Sequence, residues 1–401
     1  MRRIILATAT GLALTLAAAC GTTAPGQKAG QASRPAGQPA QSGQAGHGGL
    51  HGTTPAATPA AEPLRAGERF QTLSMPVAHT PKPPGGGTDE YRCFLVDPGV
   101  TAPDTYLTGT QFVPGNTAIV HHAIFFSLDP AKTGPARALD AKSPGEGWTC
   151  FGDAGLNESD WIGHWAPGTN EVLLDPSLGY PLKPGSALVM QIHYSTLAMA
   201  GAEPGPDRSS VRMRLATGAR TALHTETYPA PIELPCTAQE KGPLCEREAA
   251  VADVGKRFGA DAADRVGFLS HICDGGKPKS GPVQACDLPF ERPMRIHALA
   301  GHMHLLGRSI KVELNPGKPD GRTLLDVPEY NFDNQAIQPL PEPVAVGKGD
   351  TIRVTCTHDA GLRAQLPLLS KLPPRYVVWG EGTQDEMCLG ILVTSAGKPA
   401  A

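Results

Sequence analysis

The chain is 401 residues long and close to charge balance, with 35 Lys and Arg against 38 Asp and Glu and a formal net charge of -3. That balance, with no basic run, excludes a nucleic-acid partner held by its phosphates. The 47 glycines and 40 prolines are spread along the sequence and break its apolar stretches into short runs, a pattern of strands and turns.

The N-terminus reads as a processing segment. Met1-Arg2-Arg3 is a positive lead, residues 4–19 are apolar, and Ala17-Ala18-Ala19 precede Cys20. The run is short for a membrane span and fits a secretory signal over residues 1–20. Small residues directly before a cysteine resemble a lipobox, although Leu16 sits one position early. The expectation is an exported chain, lipidated at Cys20 and held on the extracytoplasmic side of the cell envelope. An ordinary signal peptide with an incidental cysteine is the alternative. Residues 21–65, rich in Ala, Gly, Pro and Gln, are expected to be a disordered tether. His47 and His51 inside it read as low-complexity residues rather than ligands.

Beyond the tether the apolar runs cover residues 118–126, 187–194, 211–215, 351–355, 376–379 and 389–393. Turn residues such as Lys183-Pro184-Gly185 and Gly347-Lys348-Gly349-Asp350 separate them. This predicts an all-β protein of sandwich type. Residues 245–269 are the one segment with helical spacing, through Ala249, Val251, Ala252, Val254 and Phe258.

Cys20 apart, eight cysteines remain: Cys93, Cys150, Cys236, Cys245, Cys273, Cys286, Cys356 and Cys388. An even number in an exported chain predicts disulfides. Eight cysteines allow about 105 pairings. Closeness favours Cys236 with Cys245 and Cys273 with Cys286. A cysteine-ligated zinc site is disfavoured, because no pair has the short spacing of a zinc knuckle.

Four short motifs carry candidate chemistry. His302-Met303-His304 puts two imidazoles on one face of an extended strand, where they can share a metal ion. His121-His122 opens an apolar run, and His193 lies in Gln191-Ile192-His193-Tyr194. Adjacent histidines on a regular strand face opposite sides, so joint use of His121 and His122 requires a bulge or twist. Met387, in Asp385-Glu386-Met387-Cys388, offers a soft thioether suited to reduced copper. Each histidine alone, or the methionine alone, is as well explained by packing.

In this order and spacing the motifs resemble the copper type II, ascorbate-dependent monooxygenase family, over residues from about 70 to 393. The resemblance implies two consecutive jelly-roll-like β-sandwich domains, at residues 66–218 and 219–396. Each would hold one copper, and the two would face each other across a solvent-filled cleft. It implies that His121, His122 and His193 hold an electron-storing copper. His302, His304 and Met387 would hold the copper at which dioxygen is reduced and a substrate C–H bond is broken. Ascorbate would be the reductant. It also implies disulfides Cys93–Cys150 and Cys356–Cys388. A further family disulfide is missing at both ends, where Leu128 and Gly155 stand.

Departures from the family narrow the substrate. The arginine that clamps a peptide carboxylate in the peptide-amidating branch is Ala300 here, and its two assisting residues are Leu389 and Ile391. Without a guanidinium a buried carboxylate has no fork to bind, which argues against glycine-extended peptides. His297 and His358, near ligand-bearing strands, are expected to support the ligands from behind, and His164, His224 and His271 to be structural. The expected function is hydroxylation of a small organic substrate with O2 and a reductant, by a monomer. A copper-binding protein for storage or sensing, without turnover, is the alternative.

Overall fold

The computed structural model describes residues 60–156 and 159–397. The expected signal segment, Cys20, His47, His51 and most of the expected tether lie outside the described residues. Strands dominate, as the short apolar runs predict.

Five strands form one antiparallel sheet in the order Trp148–Thr149, Asp89–Val96, Ala187–Ser195, Val120–Leu128 and Ser159–Trp165. Successive residues of Ala187–Ser195 point to opposite faces. Leu188, Met190, Ile192 and Tyr194 pack with Leu107, Phe112 and Met213. Ala187 and Val189 pack on the other face against Trp148 and Cys150. With both faces covered, polar positions are largely excluded, and the strand reads as an apolar run broken only by Gln191 and His193 before its last residues.

A four-stranded sheet in the second half runs Val283–Pro289, Thr351–His358, Gly307–Leu314 and Arg322–Val327. Here the alternation is simple: Ile352, Val354, Cys356 and His358 point inward and their neighbours are half-exposed. A longer sheet follows the order Glu68–Ser74, Ser210–Thr217, Thr105–Val113, Leu178–Leu182, Thr221–Pro229, Leu389–Ala396, Met294–His302 and Gln338–Val346. Its parallel join, Leu178 beside Thr221 and Gly179 beside Ala222, links strands of residues 66–218 to strands of 219–396.

The helical segment differs from expectation. It is two helices, Arg247–Phe258 and Ala260–Asp274, parted at Gly259, whose φ of 93° no ordinary side chain adopts readily. A further helix, Pro130–Lys142, was not predicted. Asp129 caps it by accepting from the Ala131 amide, and Pro130 sits where its missing N–H costs nothing. Gly134 and Pro135 hide it in the sequence. Four disulfides join Cys93 to Cys150, Cys236 to Cys245, Cys273 to Cys286 and Cys356 to Cys388. The second and third bracket the helical pair.

Candidate metal centre

The first histidine group depends on a break in register. Val120 faces Tyr194, but His122, not His121, faces His193, so His121 is the extra residue of a bulge. The bulge turns both adjacent imidazoles to the same side as His193. The three Nδ1 atoms lie 3.1, 3.2 and 3.3 Å from one another. A triangle with an edge of 3.2 Å has its centre about 1.9 Å from each corner, close to the roughly 2.0–2.1 Å of a zinc–imidazole bond. Three lone pairs aimed at one point are poorly served by shared protons and well served by a cation.

The surroundings fix which nitrogen is bare. His193 Nε2 donates to Asp89 Oδ1 at 3.0 Å, leaving Nδ1 as the lone-pair atom. Burial would raise the Asp89 carboxyl, but hydrogen bonds from His193 and Thr383 hold it well below the usual range. Burial drives His121 and His122 well below the ordinary imidazole value, and the neighbouring histidines push them further. His193 is lowered by burial against the pull of Asp89. Neutral imidazoles are the ligand form. Tyr91 stacks on His193 with ring centres 4.1 Å apart, and Phe332 stacks on His121 at 4.4 Å.

The second group is built where a strand ends. Met294–His302 stops at His302, and His304 lies in the turn leading to Gly307–Leu314, yet the two rings stand 5.2 Å apart. His302 Nδ1 donates to Gln335 Oε1 at 2.5 Å. His304 Nδ1 donates to the Asp385 carbonyl at 3.1 Å. Both Nε2 atoms are thus the bare ones, and His304 Nε2 is buried without a partner among the described residues. Burial, reinforced by His304, pushes His302 down to about 3.

Met387 arrives on a loop stitched to these histidines. Glu386 accepts from the amides of His304 and Leu306, at 2.8 and 2.5 Å. His358 Nε2 lies 3.4 Å from both Glu386 Oε2 and the Met387 carbonyl. Arg257, from the helical pair, grips both oxygens of Asp385 at 2.7 Å. The Cys356–Cys388 disulfide ties the residue after Met387 to the neighbouring sheet. Met387 and His302 line one cavity of about 460 Å³. Two imidazoles and a thioether make a donor set suited to reduced copper, which is how these residues fit the metal the sequence implies.

The two groups touch. The His122 and His302 rings are 5.8 Å apart, and Phe332 lies against His121 and 6.3 Å from His304. This replaces the expected solvent-filled cleft with ring contact. Cross-links explain it: Thr383, on the Met387 loop, donates its hydroxyl and amide to Asp89, and the Tyr91 hydroxyl donates to the Glu381 carbonyl.

Of the two expected supporting histidines, His358 sits beside the Met387 loop, whereas His297 bonds Ser395 Oγ away from both groups. His164 proves to line the cavity, where burial pushes it down to about 4. Asp89, Tyr91, Gln335, Phe332 and Glu381 were not singled out from the sequence. Each is an isolated residue without a spacing signal, and its part follows from tertiary proximity.

Fold and site together define an all-β protein with two histidine groups suited to a redox metal. Residues 283–393 match the family described as copper type II ascorbate-dependent monooxygenase, C-terminal domain, a match that supports the resemblance read from the motifs. The matched segment contains His302, His304 and Met387. No curated protein matches the chain. Among solved structures, the major capsid protein P2 of bacteriophage PM2 overlaps at 8% identity and a TM-score of 0.28, covering 83% of this chain and 100% of that one. A putative secreted protein from Parabacteroides distasonis overlaps at 7% identity and a TM-score of 0.20, covering 83% and 91%. Scores this low do not establish a shared fold.

Proposed function

We propose that the chain hydroxylates a C–H bond of a small organic substrate, consuming O2 and electrons from a reductant such as ascorbate. The observation that carries this reading is the pair of unlike donor sets in ring contact. His121, His122 and His193 would hold one copper through Nδ1, and His302, His304 and Met387 a second through Nε2 and sulfur. Copper, cycling between two oxidation states, would supply one-electron transfer at the first set and dioxygen reduction at the second. The remaining work belongs to the protein. Asp89 and Gln335 fix tautomers, Phe332 and Tyr91 lock rings, and the cavity would hold substrate beside His302 and Met387.

The test is to load the purified protein with copper, count the metal, and follow ascorbate-driven O2 uptake over a panel of small organic substrates. Two coppers per chain with substrate-coupled uptake and an alcohol product is the expected result. Two coppers without coupled uptake would favour storage or sensing, and zinc or no metal would overturn the reading.

The same proposal puts a monomer at the outer face of a membrane, lipidated at Cys20. The Ala17-Ala18-Ala19-Cys20 sequence and four disulfides support it, since disulfides persist in oxidising compartments. Labelled fatty acid should enter the native chain and not the Cys20→Ala variant.

A further inference from the structure

A second cavity, of about 520 Å³, adjoins the one lined by His302 and Met387, and the proposed chemistry leaves it without a use. It exists because an edge strand peels away. Where Met294–His302 pairs with Gln338–Val346, Ile296 faces Val344 but Ala298 faces Pro339, so the residues from Leu340 to Pro343 bulge out opposite His297 alone. Pro339, Pro341 and Pro343 have no N–H with which to rejoin the ladder, and they stand exposed at the rim of the opening. The interior is apolar, with Leu107, Ile162, Val172, Leu223, Ile337 and Val393 in its wall. Asp175, the acidic residue of that wall, is exposed and already accepts from the amide and the hydroxyl of Ser177. The wall thus offers a ligand hydrocarbon contact rather than charge.

The two cavities lie on one face of the long sheet. Ala298 and Val393 face each other on paired strands and line the second cavity, while the next pair on that face, Ala300 and Ile391, lines the first. Residues two apart on a strand point the same way, which puts these pairs about 7 Å from one another. Leu299 and Leu392, between them, turn to the opposite side and join the core. Leu223 and Thr227 repeat the pattern on the neighbouring strand, one in each cavity. His164 lines both spaces, so a single side chain stands at their boundary. From this continuity we infer that the second cavity is a subsite for the hydrocarbon tail of a long-chain substrate whose reacting end lies beside His302 and Met387. A short substrate fills the first cavity alone. A longer one passes His164 and exchanges water for apolar wall along the rest of its length.

The inference rests on the monooxygenase reading only for the word substrate, and binding can be measured without turnover. Equilibrium dialysis of 1-hexanol, 1-octanol, 1-decanol and 1-dodecanol against the copper-loaded full chain gives affinity as a function of length. Affinity should rise about 3–4-fold per added methylene through the whole series, the worth of burying each one. Ala298→Phe places a ring in the second cavity and none in the first. It should leave 1-hexanol affinity and copper content unchanged and bring 1-dodecanol down toward the affinity of 1-octanol. Leu340→Trp narrows the same space from the looped-out segment, and should do likewise if Ala298→Phe fails to fold. A wild-type affinity that stops rising at 1-octanol would overturn the inference without any variant. So would a rise that persists undiminished in a folded variant. A rise that the variants abolish, without coupled O2 uptake on any alcohol, would sink the monooxygenase reading and leave the tail subsite standing. Coupled uptake with affinity independent of length would do the reverse.

Discussion

The two histidine groups reach similar ends by different construction. The first is made within a sheet: His121, His122 and His193 belong to two paired strands, and a single bulge sets their directions. The second is made from ends: His302 closes a strand, His304 sits in a turn, and Met387 arrives on a loop from far along the chain. Ladder hydrogen bonds hold the first in place. Side-chain bonds, an ion pair and a disulfide hold the second. A site inside a sheet is fixed by the fold, whereas a site made of ends is only as firm as its braces, and can face a cavity.

The sharpest way to break this contrast is to remove a donor. Met387→Ile should eliminate turnover while the first group keeps its metal, so metal analysis should fall from two coppers toward one. Two retained coppers with full activity would show that the thioether has no part.

A brace of the second group comes next. Arg257→Met strips Asp385 of its bidentate partner and leaves a buried carboxylate leaning on Arg375 at 3.5 Å. Loss of one member of a buried pair costs about 3–5 kcal/mol. Denaturant midpoints should drop accordingly, and copper affinity should weaken at the second group and not at the first.

Asp89→Asn tests the first group from behind. Replacing the acceptor of the His193 Nε2 proton should weaken first-site metal affinity about 10–100-fold. Titration with a competing chelator measures it, and an unchanged affinity would mean that the ladder alone orients His193.

Acid should act through both groups. Folded-state imidazole values at His121, His122 and His302 lie below the unfolded value, with His302 near 3. Above pH about 6.5 these side chains are neutral in both states and contribute no pH dependence. Below it the unfolded chain takes up protons that the folded chain refuses. Metal-free protein should therefore lose about 1.4 kcal/mol per pH unit through His302 as the pH falls toward 3, and further stability in the same direction through His121 and His122. Urea titrations at successive pH values would show this slope or its absence. At the low end of the scale, His297→Gln should shift stability by less than about 0.5 kcal/mol and leave copper content and turnover alone.

The sequence announced the candidate donors better than their supports. His302, His304 and Met387 stand in motifs whose residue types have few other uses in combination. The bulge at His121 could be required but not seen, because nothing local to Val120-His121-His122 marks the shift; it is set by pairing with a strand about 70 residues away. Asp89 lies 104 residues from the histidine it orients. Glu381 reads as one polar residue in a glycine-rich loop, and only burial reveals it. The helix Pro130–Lys142 escaped notice because Gly134 and Pro135 argue against helix locally while the Asp129 cap and packing of Ala136 decide otherwise. Strand order was illegible too, since the alternation that marks a strand says nothing about its neighbour.

That strand order bears on how the molecule is born. Leu389–Ala396 ends the described sheet in sequence but not in space, lying between Thr221–Pro229 and Met294–His302. The long sheet therefore cannot close until residue 396 has emerged from the ribosome. Cys388 emerges just before this strand, so its bond to Cys356 is among the last to be oxidised. Until then the strand bearing His302 can pair on one side only, with Gln338–Val346, and a nascent chain stalled short of residue 389 would present its other, apolar edge unpaired to whatever chaperone attends it.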